Sequence, residues 1–361
     1  MLRKQAVITG EGKVEVRQLE LPELAKNEVR IKTQASLISP GTEMSAVRRF
    51  REKPEPDAKP LLFGYACAGE IIETNGDCGG LKPGMRVAAM GGGSAQHADY
   101  VNVPKNMVVP LPDEVDYEDA VYACLGATSL QAVRRATPQL SDYGVVLGLG
   151  IVGNLAMQLC RLSGARMTGW EGLPGRRDIA AACGLTNISA PGDTALEAAK
   201  NYTAPYGMDF AIFAFGGNAD NALTQVRQIM KLSPDGHAMG RIVLVGGCSV
   251  EVNGGATNGN LDILISSRTG PGYHDPQWEH GADYPNAFVT HNTRRNLYEI
   301  INLIAEKRLI VKPMTTHRMP LEEVEKATEL LILRVPSFDI FATGVSEARQ
   351  TLKLPFIGLP E

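Results

Sequence analysis

The feature that most constrains the fold of this chain is a glycine-rich turn at residues 148–153. A short apolar run that begins at Tyr143 ends in Gly148-Leu-Gly150-Ile-Val-Gly153, and apolar residues then recur at helical spacing. This pattern predicts a strand, a tight turn and a helix. In such a unit the first glycine permits the turn, the second lets the backbone approach a pyrophosphate, and the third lets the helix lie close to the strand. The stretch therefore predicts the first half of a dinucleotide-binding unit, with the diphosphate at the positive end of the helix.

An acidic residue follows the next predicted strand. Glu171 comes directly after the strand at residues 166–170, which is the spacing at which an acid accepts hydrogen bonds from both ribose hydroxyls of a dinucleotide. Its charge would repel a 2′-phosphate, so Glu171 favours NAD over NADP. Arg176 and Arg177 lie close behind it and leave open the alternative that a phosphate is bound.

Length, charge and cysteine content limit the class of protein. The 361 residues suffice for two domains, each with its own core. The net charge of -4 gives no electrostatic reason to expect nucleic acid or an anionic membrane as a partner. We find no apolar run of membrane-spanning length and no signal peptide, so we expect a cytoplasmic protein. The six cysteines are scattered without short pairings, which argues against a disulfide framework and against a zinc knuckle.

The predicted secondary structure changes character along the chain. Between residues 4 and 110, short segments alternate with period two and are separated by Pro and Gly, which predicts a compact antiparallel β domain. After residue 143, strands alternate with helices, which predicts a parallel sheet covered on both faces. The predicted strands of this part are 143–148, 166–170, 208–214 and 241–245, and the predicted helices are 151–163, 174–183 and 219–231. Two further helices, at about 293–307 and at 321–333, precede a last extended segment.

Several motifs occur along the chain in a characteristic order. They are Ser39-Pro-Gly-Thr-Glu43, Gly64-Tyr-Ala-Cys-Ala-Gly69, Gly84-Met-Arg-Val, the glycine-rich turn and the closing segment Pro313-Met-Thr-Thr-His317. Together they resemble the medium-chain dehydrogenase/reductase superfamily over nearly the whole chain. The resemblance implies an α/β protein in which a GroES-like β-barrel catalytic domain flanks a Rossmann domain with a doubly wound parallel sheet.

The resemblance also implies how the domains and subunits are arranged. The catalytic domain would comprise residues 1–122 and 276–361, the cofactor domain would comprise residues 123–275, and the active site would lie in the cleft between them. Relatives pair through the last strand of the cofactor sheet, here residues 261–267, which implies a homodimer.

The sequence departs from the zinc-containing members of the superfamily at the metal ligands. In those members a Cys, a His and a third residue ahead of the cofactor domain hold the catalytic metal. The first two positions correspond here to Pro40 and Tyr65, and only Cys124 remains near the third. Proline cannot bind zinc, tyrosine does so rarely, and one thiolate cannot make a site. The comparison therefore implies a site without zinc.

Without zinc, side chains must polarise the substrate and move its proton. The resemblance places Thr42, Tyr65 and His97 in the substrate pocket. Alternative roles remain open, namely a turn cap for Thr42, a core position for Tyr65 and a structural role for His97. His97 is the favoured proton acceptor because neutral imidazole accepts a proton at pH 7, and Tyr65 and His274 follow.

A loop at residues 267–284 concentrates His, Asp, Glu, Tyr and Trp. Aromatic faces with carboxylates and imidazoles suit a polyhydroxylated ring, although such residues also bond their own loop. The motif pair Ser-Pro-Gly-Thr-Glu and Gly-Pro-Gly-Tyr-His-Asp is similar to a zinc-free branch that acts in sugar and aminocyclitol pathways. The candidate site residues are His97, Tyr65, Thr42 and His274 for catalysis; Gly148, Gly150, Ile151, Val152, Gly153, Glu171, Arg176 and Gly246 for the cofactor; and Glu43, Tyr273, Asp275 and Trp278 for the substrate.

These observations predict an NAD(P)-dependent oxidoreductase acting on CH–OH groups. The expected reaction is zinc-independent, prefers NAD over NADP, and oxidises a secondary alcohol of a sugar-like or cyclitol substrate or reduces the corresponding carbonyl. One alternative is an NADPH-dependent quinone or enone reductase, for which a hydrophobic pocket is expected. The other is a catalytically inactive nucleotide-binding protein.

Overall fold

The structure of the protein is a computed structural model that describes residues 1–252, 259–332 and 339–342. The strands in these residues are β1 (Leu2–Ile8), β2 (Val14–Glu20), β3 (Glu28–Leu37), β4 (Leu61–Leu62), β5 (Ala66–Asn75), β6 (Arg86–Met90), β7 (Tyr100–Pro104), β8 (Val108–Pro110), β9 (Tyr143–Leu147), β10 (Arg166–Trp170), β11 (Ile188–Ser189), β12 (Phe210–Phe213), β13 (Gly217–Asn218), β14 (Met239–Leu244), β15 (Cys248–Ser249), β16 (Asn260–Ile265), β17 (His317–Pro320) and β18 (Asp339–Ala342). The α-helices are α1 (Thr42–Glu52), α2 (Tyr117–Ala120), α3 (Ala123–Ala136), α4 (Ile151–Leu162), α5 (Pro174–Ala182), α6 (Asp193–Thr203), α7 (Asp220–Arg227), α8 (Pro276–Glu279), α9 (Thr293–Ala305) and α10 (Val324–Ile332).

The first part of the chain forms a largely antiparallel sheet. Its strand order is β17-β18-β3-β5-β6-β8, and β7 also pairs with β3. β18 lies antiparallel to β3, so a strand from the end of the described chain joins the sheet built by β3 and the strands that follow it. A smaller sheet of order β2-β1-β4 is joined to this one through a bridge between Gln5 and Ala98. This arrangement confirms the predicted GroES-like part of the fold.

The middle of the chain forms a six-stranded parallel sheet of order β11-β10-β9-β12-β14-β16. Its central strands are buried and apolar because helices cover both faces. The winding reverses between β9 and β12, and a crevice for a ligand is expected at the carboxyl ends of the strands at such a point. The predicted doubly wound sheet is therefore confirmed. β16 forms one edge and exposes Ile265; the pairing of two subunits through this edge stays a prediction, which light scattering would test.

The observed elements differ from the predicted ones at α1, at the end of α7 and at α6, which has no predicted counterpart. Helix α1 begins at Thr42, within the Ser-Pro-Gly-Thr-Glu motif, in a region predicted to be wholly β. Its buried side chains Met44, Val47 and Phe50 recur at helical spacing, a signal too short to stand out beside the neighbouring strands. Helix α7 ends at Arg227, before the bridge between Met208 and Met230. The predicted extended end contains β18, and its remainder lies outside the described residues.

Two helices connect the sheets. α3 packs against both α4 and α9, and its buried face joins one continuous hydrophobic core that contains side chains of both sheets. Over the part of the chain that the structure describes, no helix has the length and apolar character needed to cross a membrane. The shared core holds the glycine-rich turn opposite the end of the antiparallel sheet.

Candidate active site

The glycine-rich turn has the geometry that its sequence predicts. Gly148 has a φ of +85°, a conformation that residues with a side chain rarely adopt. A β-carbon on Gly153 would lie 1.8 Å from the carbonyl oxygen of Gly148, so helix α4 approaches the turn too closely for any other residue. A β-carbon on Gly150 would meet only the guanidinium of Arg176, at 3.9 Å. The space in front of Gly150 and the first turn of α4 is therefore open to a diphosphate.

Glu171 is fixed against this turn. Its carboxylate accepts hydrogen bonds from the backbone N–H of Leu149 at 2.8 Å and of Leu173 at 2.9 Å, and the side chain is nearly buried. Nη1 of Arg176 lies 3.9 Å from Oε2 of Glu171, whereas Nη1 of Arg177 donates to the carbonyl of Glu171. One carboxylate and one guanidinium, not two, therefore border the place where the ribose is expected.

The other candidate cofactor residues lie around the same crevice. Ile151 and Val152 form the first turn of α4, where Ile151 is buried in the core and Val152 is half-buried. The carbonyl of Val152 accepts a hydrogen bond from Oγ of Ser129. Gly246 follows β14 with a φ of +82°. All three positions lie at the carboxyl ends of the sheet.

Tyr65 lies where the superfamily places a zinc-ligating histidine. Burial raises the pKa of its phenol well above the ordinary value, and the nearby Cys124 and Glu43 raise it further. The hydroxyls of Ser39 and Thr42 face the phenol and oppose this rise by hydrogen bonding. The phenol therefore stays protonated at neutral pH, so it is a hydrogen-bond donor and not a ready base.

His97 lies behind this group and does not reach the cleft. It is 0% exposed, its Nδ1 lies 2.8 Å from Oγ of Ser36, and its Nε2 lies 3.0 Å from Oε1 of Glu43. The second carboxylate oxygen of Glu43 accepts the backbone N–H of Ser39. Full burial is inconsistent with direct proton transfer from a substrate to His97. In this structure His97 and Glu43 instead hold the Ser-Pro-Gly-Thr-Glu segment against the sheet.

Tyr273 reaches the same region from the far side of the cleft. Its hydroxyl accepts a hydrogen bond from the backbone N–H of Gly92 at 2.8 Å, across 181 residues of sequence. Burial raises the pKa of this phenol, and Cys124 contributes in the same direction. Cys124 is thus close to both phenols, and burial raises the pKa of its thiol, which stays protonated. The structure brings together Thr42, Tyr65 and Tyr273.

The other predicted site residues of this loop are His274, Asp275 and Trp278, and they contact the loop itself or the core. The ring of His274 is exposed and stacks on that of Tyr273 at 3.9 Å; partial desolvation and Arg268 lower the pKa of the imidazole. Asp275 caps α8 by accepting the N–H groups of residues 277 and 278, and its other oxygen accepts from the hydroxyl of Tyr284 at 2.6 Å. Trp278 is buried in the core. Asp275 and Trp278 therefore organise the loop, which corrects the prediction that they contact a substrate in the cleft.

Sequence reasoning missed three contributors to the site. Ser39 faces Tyr65, Ser36 bonds His97, and Gly92 orients Tyr273. Ser39 belongs to the Ser-Pro-Gly-Thr-Glu motif, so the sequence carries a signal for its hydroxyl. Ser36 and Gly92 carry no such signal, because their partners lie 61 and 181 residues away.

The described residues do not form a metal site. Among the described residues no group of three or more His, Cys, Asp or Glu side chains is arranged to hold a metal ion. At the positions that correspond to zinc ligands the chain offers a proline, the protonated phenol of Tyr65 and the protonated thiol of Cys124. This set of donors does not fit zinc.

The fold and the glycine-rich turn are similar to those of alcohol dehydrogenase-like proteins of the medium-chain dehydrogenase/reductase superfamily. Residues 25–113 match the family of alcohol dehydrogenase GroES-like domains. An uncharacterised zinc-type alcohol dehydrogenase-like protein of Escherichia coli K12 is 27% identical over 214 residues, which cover 50% of this chain and 61% of that protein. Mouse sorbitol dehydrogenase is 24% identical over 362 residues, covering 90% of this chain and 91% of the relative.

A solved structure agrees with these relatives in fold. The crystal structure of 2R,3R-butanediol dehydrogenase from Bacillus subtilis has a TM-score of 0.72 with this chain at 18% identity, and the match covers 95% of this chain and all of that one. Relatives of this kind are oxidoreductases that act on CH–OH groups, which confirms the predicted class at that level. The predicted zinc-free branch is a finer assignment and stays a prediction.

The burial of His97 generates a test of its role. We expect His97→Ala to lower the free energy of unfolding by about 2–4 kcal/mol, because it removes the imidazole that bonds Oε1 of the buried Glu43 carboxylate and the hydroxyl of Ser36. Urea denaturation measures this. The matched control is His237→Ala, which removes a histidine paired with Asp235 at the surface and should change stability by less than about 0.5 kcal/mol. If His97→Ala kept its stability but lost turnover, His97 would again be assigned as the proton acceptor.

Proposed function

We propose that the protein is a zinc-independent, NAD(H)-dependent dehydrogenase/reductase that interconverts a secondary alcohol and a carbonyl on a sugar-like or cyclitol substrate. The observation that carries the proposal is the phenol of Tyr65, which burial keeps protonated and which faces the hydroxyls of Ser39 and Thr42. The resemblance aligns this residue with a metal ligand of the zinc-containing members. A neutral phenol polarises a carbonyl oxygen by donating a hydrogen bond, which is the task of zinc in the metal-containing members.

The proton can be followed through the residues of the cleft. When bound, the reduced cofactor supplies a hydride to the carbonyl carbon of the substrate. Tyr65 gives its proton to the carbonyl oxygen, which becomes the hydroxyl of the product. The hydroxyls of Ser39 and Thr42 then donate hydrogen bonds to the phenolate. Because Thr42 is exposed, it also offers a route by which solvent returns the proton. Oxidation is the microscopic reverse and needs the phenolate of Tyr65 as base; because the phenol stays protonated at neutral pH, we expect carbonyl reduction to be the favoured direction there.

Tyr273 supplies a second hydrogen-bond donor. The N–H of Gly92 occupies one acceptor position of its hydroxyl, so the O–H of Tyr273 is directed away from Gly92. Together with Thr42 and Tyr65 it gives the cleft three hydroxyl groups, a lining suited to a substrate with several hydroxyls. An enone or quinone reductase would be served by an apolar pocket instead, so this lining favours the alcohol reaction.

The broad test is a panel of substrates with both cofactors. We expect turnover with sugars or cyclitols at the nicotinamide absorbance band, little turnover with quinones or enones, no stoichiometric zinc in elemental analysis, and full activity in chelator. Stoichiometric zinc whose removal abolishes activity would refute the metal-free mechanism. Binding of NADH without turnover of any substrate would favour the catalytically inactive alternative.

The role of Tyr65 has a direct test. We expect Tyr65→Phe to lower kcat by about a hundredfold or more and to leave the Kd of the cofactor unchanged, because the change removes only the proton donor. Because the pKa of Tyr65 is raised above its usual value of 10.0, kcat/KM for carbonyl reduction should not fall until the pH exceeds that value. The control is Tyr143→Phe, whose hydroxyl bonds Arg166 at the opposite end of the sheet. Near-full turnover of Tyr65→Phe would remove Tyr65 from the mechanism.

Cofactor choice tests the crevice separately. We expect kcat/KM to favour NAD over NADP by about tenfold or more, because the carboxylate of Glu171 repels a 2′-phosphate. Glu171→Ser should reduce this ratio, and Arg176→Ala should increase it by removing the one cation beside the carboxylate. Arg177→Ala is the control, since its guanidinium is turned to backbone carbonyls. A wild-type preference for NADP would show that Arg176 governs the choice.

A further inference from the structure

A cavity of about 790 Å³ lies beside helix α9, outside the cleft. Its volume is within the range of small-molecule sites. None of the cleft residues Thr42, Tyr65, Gly92 or Tyr273 contributes to its wall. The wall comes from the end of the loop that carries Tyr273, from the segment before α9 and from α9 itself. The side chains that matter for its chemistry are Trp278, Asp283, Asn286, Arg294, Tyr298 and Glu299.

The lining is dense in hydrogen-bonding groups but balanced in charge. It contains the side-chain amides of residues 106, 286, 292 and 302, two guanidinium groups at 294 and 295, and two carboxylates at 283 and 299. Two cations and two anions leave no net charge to select an ion. Carboxylates and amide oxygens accept hydrogen bonds, and amide and guanidinium N–H groups donate them. A neutral ligand with many hydroxyl groups uses both kinds.

Two buried donors of this wall have no hydrogen-bond partner among the described residues. They are Nε1 of Trp278, whose side chain is only 1% exposed, and Nε of Arg294. The guanidinium of Arg294 is otherwise held, because Nη1 donates to Asn106 at 3.3 Å and the group lies over the ring of Tyr298. Both atoms lie beneath the wall without accessible surface, so a ligand in the cavity meets the rest of the Arg294 guanidinium and not these two atoms.

An exposed aromatic ring stands on the segment that forms the rim. Phe288 is 87% exposed and lies in a turn closed by its N–H bonding the carbonyl of Pro285 at 2.9 Å. Its neighbours Asn286 and Thr290 both line the cavity. An aromatic face beside hydrogen-bonding groups is suited to stack on the C–H face of a sugar or cyclitol ring.

We propose that this cavity is a second binding site, separate from the catalytic cleft, for a neutral polyhydroxylated ring. Glu299, Asp283 and the amides bind vicinal hydroxyls, the guanidinium of Arg294 donates to ring or hydroxyl oxygens, and Phe288 covers one face. The site does not depend on the proposed reaction, because it shares no side chain with the proton path.

The test measures binding to the full chain without cofactor. Saturation-transfer NMR and calorimetry would use myo-inositol, D-glucose and inorganic phosphate as probes. The probe concentration would extend to about 10 mM, which is enough to saturate a site with a Kd of about 1 mM. We expect one of the two neutral probes to bind. Glu299→Gln and Phe288→Ala should each weaken it by about fivefold or more, and Tyr65→Phe should leave it unchanged. Tyr206→Ala, which removes another exposed aromatic ring on the cofactor side, is the matched control for Phe288→Ala.

Three results would overturn the site. They are binding of phosphate alone, no binding of either neutral probe, and binding that is lost in Tyr65→Phe yet unaffected by Glu299→Gln. The last result would place the probe in the cleft and support only the proposed reaction. Turnover in the substrate panel decides the reaction independently of this measurement.

Discussion

The hydrogen bonds of the buried Glu43 carboxylate are the interaction on which the half of the protein that contains Tyr65 depends. A charge in the interior must be paired and hydrogen-bonded, and Glu43 satisfies this with the imidazole of His97 and the backbone N–H of Ser39. These two bonds join the first turn of α1, the motif before it and the strand region around residue 97. Ser39 and Thr42, on either side of Pro40, are thereby held facing the phenol of Tyr65. Burial raises the pKa of that phenol, Cys124 and Glu43 add to the rise, and the two hydroxyls oppose it.

In the half that contains the parallel sheet, a steric constraint at Gly153 fixes the position of the glycine-rich turn. Because α4 approaches the carbonyl of Gly148 at Gly153, its first turn points at the crevice where the sheet reverses its winding. Glu171 then bonds the turn at Leu149, so the residue that we propose selects the ribose also fixes the loop that we propose receives the diphosphate. Binding and loop geometry are therefore coupled here, and a substitution of Glu171 acts on both.

The loop after β16 links the two halves. At one end Tyr273 bonds Gly92 across the cleft, and further along Trp278 is buried while Asn106 donates to its carbonyl at 2.5 Å. Asp275 stabilises the segment between them by capping α8. One short loop thus closes the catalytic cleft on one side and forms part of the wall of the polar cavity on the other. Its aromatic and acidic residues are accounted for by these contacts.

The sequence alone determined the architecture, because periodicity and the spacing of glycines are local properties. The alternation before residue 110, the strand–helix repeats and the turn at Gly148 predicted both sheets, although not the helices α1 and α6. Tertiary structure decided the roles of the site residues. Whether a histidine is a base or a buried support depends on contacts with Ser36 and Glu43, 61 and 54 residues away, and local patterns carry no record of them. Burial keeps Tyr65 protonated and places Trp278 in the core. In both cases the burial arises only when distant segments pack together.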